Sequence, residues 1–266
     1  MTKETGLLGI GDHIRLALAE IHPEVARFTY PLFAVDTRDR PDLYATSVLI
    51  ECDGIPVLLT AAHAIYEISK SGSAVHIGAK HITQLSPQFV LSSEDGSDPL
   101  DLAAIEFPVD LMKSEEMKAL PLARTMLGKT FSSVHMRCIH GYPCTKNRTN
   151  HRVNEASKTF SKFGFTYAGS STELQVDYPS YNKETIKHVA LQYQRDGKNE
   201  KGEKATPPKP KGMSGGGLWL IPDSFNPKAL YLEGIAIEFH KGKSLVFATR
   251  IEHAIAFIRR NVLRQA

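Results

Sequence analysis

The chain has 266 residues, of which 42% are hydrophobic and 23% charged, and its formal net charge is +3. This length allows one large hydrophobic core or two small ones, and the composition is typical of a globular protein. The weak positive charge argues against a nucleic-acid partner, and no apolar run approaches the ~20 residues of a membrane-spanning helix. We therefore expect neither a nucleic-acid partner nor a membrane partner.

Two features of the sequence favour a cytoplasmic location. Charged residues within 12–15 interrupt the short apolar patch near the N-terminus, so no secretory signal is predicted. The three cysteines, Cys52, Cys138 and Cys144, form no recognisable disulfide framework, which indicates a reducing compartment. We expect a fold that needs no disulfide.

Residues 11–26 place apolar side chains at helical spacing and predict a short amphipathic helix that ends near His22 and Pro23. We assign residues 1–27 to an N-terminal helical extension. Most amphipathic helices bury their apolar stripe on their own protein, so we expect this helix to pack on the core. The alternative is a docking helix for a regulatory protein partner.

Short strands separated by turn residues follow this helix. The Asp-Gly pair at 53–54 suits a tight hairpin. Residues 92–99 form a polar turn, and Asp101 stands at the mouth of the next apolar strand. Many short strands spaced by turns predict an all-β barrel or sandwich. The predicted strands of this half are residues 28–35, 45–51, 55–64, 74–77, 89–91 and the run from Asp101 to 107.

The second half begins near Phe131, after a polar crossing segment at 111–120. Residues 145–162 predict an exposed insertion. Residues 195–211, with charges of both signs, two glycines and three prolines, predict a loop. The predicted strands are residues 163–167, 174–178 and 188–193, and helical spacing after residue 251 predicts a C-terminal helix.

A glycine-rich turn, residues 212–216, separates that loop from the apolar run 218–221, and Ser214 lies in its middle. Glycine allows backbone angles that hold a serine hydroxyl clear of its own chain. A serine alone is a weak nucleophile and needs a neighbouring base. Without a base, the stretch is an ordinary flexible turn.

Two upstream segments supply candidates for the base and for a group that orients it. The apolar run 55–64 ends in small residues and His63, and Asp101 opens the strand that follows the 92–99 turn. Taken singly, each residue could have an ordinary structural role. All three in the order His, Asp, Ser indicate nucleophilic catalysis.

These residues resemble the motifs of chymotrypsin/trypsin-like serine peptidases, in the style of the bacterial intracellular branch. Thr60–His63 is similar to the family's histidine motif, Asp101–Ile105 to its aspartate strand, and Gly212–Gly216 to its serine motif. The chain order matches the same family. The resemblance implies a serine endopeptidase with catalytic His63, Asp101 and Ser214 and an oxyanion hole formed by the N–H groups of Gly212 and Ser214. Asp98 is the rival for the role of Asp101.

The resemblance covers most of the chain from about Ala45, with a gap between 145 and 187. It implies an all-β fold of two antiparallel β-barrels with a short helix at each end. The first barrel is expected at about 28–122, the second at about 123–250, and the C-terminal helix at about 251–264. A protein or peptide substrate is expected.

The resemblance also places a substrate-binding region. It puts Lys209 near the floor of a specificity pocket and Ile237, Glu238 and Phe239 along the wall. Glu238 would favour a basic substrate side chain, whereas Lys209 or Lys211 would favour an acidic one. The sequence leaves that choice open.

Cys138, His140, Cys144 and His151 raise the alternative of a zinc site, but their spacing matches no common zinc motif. We expect no metal and no other cofactor. Two other functions stay open: a catalytically silent peptide-binding pseudo-peptidase, and an esterase that uses the same triad. An effector role in a bacterial stress or antiviral module is a family analogy.

Overall fold

The computed structural model describes residues 10–35, 40–86, 89–93, 98–131, 136–147, 153–154, 159–170, 176–194, 196–198, 203–222, 226 and 229–263. Most of its regular structure is β-strand, arranged in two large sheets that follow one another along the chain. Short strands with intervening turns were the pattern expected of an all-β fold.

The first sheet forms the first barrel. Its strands are β1 (Thr29–Val35), β2 (Pro41–Cys52), β3 (Ile55–Ala61), β4 (Ala74–Gly78), β5 (Ile82–Gln84), β6 (Val90–Leu91), β7 (Leu102–Glu106) and β8 (Leu120–Pro121). They pair antiparallel in the order β5-β4-β1-β2-β3-β7-β6, and β8 adds parallel to β2. The β2–β3 turn has φ values of 53° at Asp53 and 83° at Gly54, which are the positive values that the Asp-Gly pair predicted for a tight hairpin.

The second sheet forms the second barrel, and all of its strand pairs are antiparallel. Two short hairpins accompany it, β10 (Val153–Asn154) with β11 (Thr159–Phe160), and β14 (Gly197–Lys198) with β15 (Lys204–Ala205). The six strands of the sheet are β9 (Met136–Gly141), β12 (Phe165–Ser170), β13 (His188–Gln192), β16 (Gly217–Ile221), β17 (Tyr231–His240) and β18 (Leu245–Arg250). Their order is β12-β9-β16-β17-β18-β13.

The helices are short. They are α1 (Ile10–Ala26), α2 (Ala62–Lys70), α3 (Val109–Ser114) and α4 (Ile251–Asn261). Within the described part of the chain, no helix has both the length and the apolar character needed to cross a membrane.

The N-terminal helix continues past the predicted end at His22 and Pro23 and finishes at Ala26. A proline inside a helix removes one backbone hydrogen bond, which is why an end was expected there. Ile21 and Val25 are both fully buried in one apolar cluster with Trp219, so packing on the core offsets that loss. The helix thus packs on the protein's own core, as its amphipathic pattern predicted.

The predicted strand 55–64 is too long, because β3 stops at Ala61 and α2 begins at Ala62. Residue 61 is an alanine and provides no side-chain cap. The cap comes instead from Asp101, whose main-chain oxygen accepts from Ala62 N at 3.0 Å and whose Oδ1 accepts from His63 N at 2.8 Å. Because the capping residue is distant in sequence, local pattern did not reveal this helix.

The predicted strand 174–178 is also wrong where the structure describes it. Tyr178–Tyr181 is a single 3₁₀ turn with Pro179 near its start, and Asn182 follows in the left-handed region at φ 54°. Residues 171–175 lie outside the described residues. The predicted loop 195–211 contains the small β14–β15 hairpin.

The two sheets share a core. Alternate residues of β2 and β3 point to opposite sides of the sheet, and both sides are apolar and buried. Leu49 and Leu58 lie in the cluster inside the first barrel, whereas Val48 and Leu59 lie in the larger cluster that includes Trp219 of the second barrel. Because both faces of the sheet are buried here, the sequences of β2 and β3 are nearly continuous apolar runs.

The packing of α1 can be tested by substitution. Ile21→Ala removes a fully buried side chain and should lower the free energy of unfolding by about 2–5 kcal/mol. Leu16→Ala in the same helix removes a side chain that is 48% exposed, so a change within about 0.5 kcal/mol is expected. Denaturant titration measures both. Equal small effects would contradict core packing and favour the docking-helix alternative.

Candidate active site

His63 and Asp101 meet where β3 passes into α2. His63 Nδ1 lies 2.6 Å from Asp101 Oδ2, and His63 N donates to Asp101 Oδ1 at 2.8 Å. One carboxylate therefore fixes both the backbone and the ring of the histidine. With Nδ1 engaged in this way, Nε2 is the ring nitrogen left to exchange a proton with another group.

The same aspartate has an unusual backbone. Its φ is 48°, in the left-handed region that residues with a Cβ rarely adopt, and this conformation costs about 1–2 kcal/mol. Asp101 N donates to Asp98 O at 3.1 Å, which helps to hold the turn. Strain of this kind gathers at functional sites.

Asp98, the rival candidate, has a different contact. Its Oδ1 accepts from Leu100 N at 2.9 Å, a common arrangement for an aspartate that opens a turn. It thus stabilises the turn that presents Asp101. Of the two carboxylates, the one that contacts His63 belongs to Asp101.

The environment of His63 changes its basicity. Burial alone lowers the pKa of the imidazole, but the hydrogen bond to Asp101 and the negative charges of Asp101, Glu238 and Glu67 outweigh it, so the pKa lies above its usual value. The side chain remains 44% exposed, which leaves the ring accessible from the cleft. The ring therefore has the properties of a general base that is held in one orientation.

Ser214 lies in the tight turn that precedes β16. Gly212 and Gly215, on either side of it, have φ values of 93° and 84°. Four consecutive carbonyl oxygens of this turn each accept a hydrogen bond: Lys211 O from Cys144 N at 2.8 Å, Gly212 O from Thr46 Oγ1 at 2.7 Å, Met213 O from Gly216 N at 2.9 Å and Ser214 O from Thr46 N at 2.9 Å.

The N–H groups of the same turn are distributed differently. Met213 N donates to Pro210 O at 2.9 Å and Gly215 N donates to Ala236 O at 2.6 Å. Within the described part of the chain, neither Gly212 N nor Ser214 N donates to a backbone oxygen. Because a trans peptide places C=O and N–H on opposite sides, the bond from Cys144 to Lys211 O turns Gly212 N–H away from Cys144. These are the two N–H groups that were expected to form the oxyanion hole.

Close backbone contact explains why Gly215 is a glycine. A Cβ at this position would lie 2.0 Å from Thr46 O and 2.2 Å from Thr60 Oγ1. Such distances are impossible for a real side chain, so only glycine lets the turn reach the first barrel.

His63, Asp101 and Ser214 line one cleft of about 390 Å³ between the barrels. Ile237, Glu238 and Phe239 of β17, which were expected along a substrate pocket, line the same cleft. Lys209 and Lys211 are exposed and lie outside that lining, although they were expected to bind substrate.

Lys183, which was not among the residues expected from the sequence, also lines the cleft. Lys183 Nζ lies 3.0 Å from Glu238 Oε2, and the lysine side chain is only 10% exposed. His240 Nε2 lies 2.8 Å from Glu238 Oε1, without the alignment of a hydrogen bond. The charge of Glu238 is therefore matched by a neighbouring cation. The only sequence signal was Asn182, a residue type that favours the left-handed position just before Lys183.

The cysteines and histidines of the zinc alternative have other contacts. Burial raises the pKa of the Cys138 thiol to about 12, which disfavours the thiolate that a metal needs. His140 Nδ1 lies 2.8 Å from Thr166 Oγ1, and Cys144 Sγ donates to Leu43 O at 3.1 Å. Among the described residues no three potential ligands gather, and His151 lies outside them.

Solved structures resemble this fold. The HtrA-type protease AlgW with a tripeptide matches with a TM-score of 0.50 and 16% identity over 93% of this chain and 64% of that chain. This chain thus spans less than two thirds of the AlgW chain. The serine protease domain of the Sesbania mosaic virus polyprotein matches with a TM-score of 0.47 and 13% identity, covering 86% of this chain and 91% of that chain. A Glu endopeptidase in complex with MPD matches with a TM-score of 0.46 and 14% identity, covering 86% and 88%.

The fold is chymotrypsin-like. The predicted two-barrel architecture is confirmed by the AlgW match and by the order of the strands. No protein-family model matches the sequence, and no curated protein matches it. The likeness is therefore one of fold, and a fold alone does not determine a chemistry.

The titration of His63 tests the geometry without reference to any activity. Its pKa should lie above the usual value of about 6.5, so the neutral ring predominates only above that raised pKa. Asp101→Asn removes the main charge that stabilises the imidazolium and should lower this pKa. NMR titration of the imidazole, assigned with His63→Ala, gives the value.

Asp98→Asn is the matched control, because asparagine can still accept from Leu100 N and the turn keeps its bond. It should leave the pKa of His63 nearly unchanged. If Asp98→Asn lowers that pKa as much as Asp101→Asn does, the assignment of the partner carboxylate is wrong.

Proposed function

We propose that the protein is a serine endopeptidase that cleaves protein or peptide substrates through an acyl-enzyme. One observation carries the proposal: the hydrogen-bonded pair His63–Asp101 and the glycine-flanked Ser214 come from different barrels and line the same cleft. Nucleophile, base and orienting carboxylate are the three parts that acyl transfer by serine needs.

In the first half-reaction, Ser214 Oγ attacks the substrate carbonyl carbon and His63 Nε2 accepts the hydroxyl proton. Asp101 holds the Nδ1 proton and stabilises the imidazolium, as its 2.6 Å contact allows. The carbonyl oxygen becomes an oxyanion and accepts from the N–H groups of Gly212 and Ser214. Collapse breaks the C–N bond, and the imidazolium gives its proton to the leaving amine.

In the second half-reaction, water attacks the ester carbon of the acyl-enzyme and gives a proton to His63. The oxyanion forms at the same two N–H groups. Its collapse breaks the bond between the ester carbon and Ser214 Oγ, the His63 imidazolium returns its proton to Ser214 Oγ, and the carboxylic acid is released. In each half, His63 first accepts a proton from the attacking nucleophile and then gives it to the leaving group.

Substitutions in the cleft test this mechanism. Ser214→Ala should lower kcat by about 10⁶, because it removes the nucleophile. Asp101→Asn should lower kcat by about 10⁴, because the histidine loses its orientation and its charge partner. Asp98→Asn, the control, should have a small effect. Turnover is followed by digestion of a peptide library, and Ser214 is titrated with a fluorophosphonate probe.

The same two measurements distinguish the alternatives. Near-wild-type cleavage by Ser214→Ala would refute the triad. Probe labelling of Ser214 with hydrolysis of activated esters but no peptide cleavage would indicate an esterase. A folded wild-type protein that the probe does not label would indicate a peptide-binding pseudo-peptidase.

The charge of the cleft gives a prediction about substrate preference. Lys183→Met leaves the Glu238 carboxylate without its cation at 3.0 Å. The cleft then becomes more negative, so the ratio of kcat/KM for a basic over an acidic peptide should rise by about 10-fold. Paired peptides that differ at a single lysine or glutamate measure this ratio.

Two further variants serve as controls for Lys183→Met. Lys187→Met removes a lysine that pairs with Glu184 instead and should leave the ratio unchanged. Glu238→Gln added to Lys183→Met should restore the original ratio. A rise that persists in the double variant would show that the preference does not depend on Glu238.

A further inference from the structure

Thr46 of β2 is fully buried and contacts the serine turn from the opposite barrel. Its N–H donates to Ser214 O at 2.9 Å, and its Oγ1 donates to Gly212 O at 2.7 Å. These two carbonyl groups belong to the same two residues whose N–H groups have no backbone acceptor within the described part of the chain.

The direction of the Thr46 hydroxyl is fixed by its other partner. A hydroxyl has one proton to donate, and it can accept as well. Tyr142 N donates to Thr46 Oγ1 at 2.9 Å, so the hydroxyl proton is left for Gly212 O. Among the described residues, Gly212 O is the acceptor with which this hydroxyl is paired.

Thr46 is itself held by the strand that leads to the histidine. Thr60 Oγ1 donates to Thr46 O at 2.7 Å, and Thr60 stands three residues before His63 at the end of β3. A series of buried hydrogen bonds thus runs from the histidine strand through Thr46 to the serine turn. Buried polar networks that are fully satisfied make their surroundings rigid.

We propose that Thr46 is a positioning residue that holds the Gly212 and Ser214 N–H groups in the orientation that receives the oxyanion. The inference rests on the proposed function, because it assigns a task to the turn only if Ser214 performs acyl transfer. Thr46 touches no reacting atom; it acts through the carbonyl groups of the turn. Its two bonds hold the Gly212–Met213 and Ser214–Gly215 peptides, which adjoin the two peptides that carry those N–H groups. Without its hydroxyl, the Gly212–Met213 peptide keeps only the bond from Met213 N to Pro210 O.

The test uses Thr46→Val, which keeps the shape and removes the hydroxyl, and Thr46→Ser, which keeps the hydroxyl. The fluorophosphonate probe reports the step that needs the oxyanion donors, because its phosphoryl oxygen accepts hydrogen bonds from these donors in place of the substrate oxyanion. We expect Thr46→Val to lower the maximal labelling rate of Ser214 by about 10–100-fold with an unchanged probe KI and an unchanged pH profile. Thr46→Ser should label within a few-fold of wild type.

Thr29→Val is the matched control. Thr29 is another fully buried threonine of the first barrel, whose Oγ1 donates to Val25 O at 2.9 Å, away from the turn. The Thr29→Val variant should lose about as much folding stability as Thr46→Val and should keep the wild-type labelling rate of Ser214.

Hydrogen exchange of a peptide that covers 209–217 gives a readout that does not depend on activity. The Met213 and Gly216 N–H groups should exchange faster in Thr46→Val and not in Thr29→Val.

Each outcome decides the question. Equal loss of labelling in Thr46→Val and Thr29→Val, in proportion to their loss of folded protein, would overturn the positioning role, as would unchanged exchange in the turn. If Thr46→Val does not fold, Thr46→Cys, with its weaker donor, must still show slower labelling or the role is refuted. A wild-type protein without labelling would refute the proposed function first, and the positioning role with it.

Discussion

The site depends on the approach of one backbone to another across the interface between the barrels. The serine turn lies directly against β2, because residue 215 is a glycine and the space beside Thr46 O is too small for a Cβ at that position. This closeness lets Thr46 N reach Ser214 O. A residue with a side chain at 215 would push the turn out of the interface and break the contacts that shape it. The active-site geometry is therefore a property of two barrels packed together and of neither barrel alone.

The histidine side of the cleft depends on a similar long-range contact. Asp101 caps α2, which has no local cap, and the same carboxylate orients the His63 ring. The left-handed backbone of Asp101 costs free energy, and the bonds it makes with α2 offset that cost. Removing this carboxylate would loosen both the start of α2 and the His63 ring, so the structural role of Asp101 and its proposed chemical role depend on the same side chain.

The sequence predicted the elements that are set by local rules. The Asp-Gly hairpin at 53–54, the apolar runs of β1 to β4 and the C-terminal helix all follow from turn chemistry and periodicity. The choice of Asp101 over Asp98 followed from its position at the opening of a strand, and the contact with His63 agrees with it.

Features that depend on tertiary contacts could not be predicted in this way. Helix α2 was missed because Asp101, its cap, lies 38 residues further along the chain. The helix α1 passes Pro23 because Val25 reaches the core. Lys183 carries no motif and enters the cleft only because its turn brings it to Glu238. In each case the deciding partner is distant in sequence, where neither propensity nor spacing carries a signal.

Under the proposed function, the charges of the cleft couple substrate preference to the basicity of His63. Glu238 contributes to the raised pKa of His63, and the same carboxylate lies 3.0 Å from Lys183. A bound group that draws Lys183 away would leave Glu238 with more of its negative charge uncompensated and would raise the pKa of His63 further. At a pH near that pKa, a smaller fraction of His63 would then be neutral and able to accept the serine proton. If the protein acts as proposed, recognition of a charged substrate side chain and the protonation state of His63 both depend on the Glu238 carboxylate, so a substitution at position 238 would change the two together.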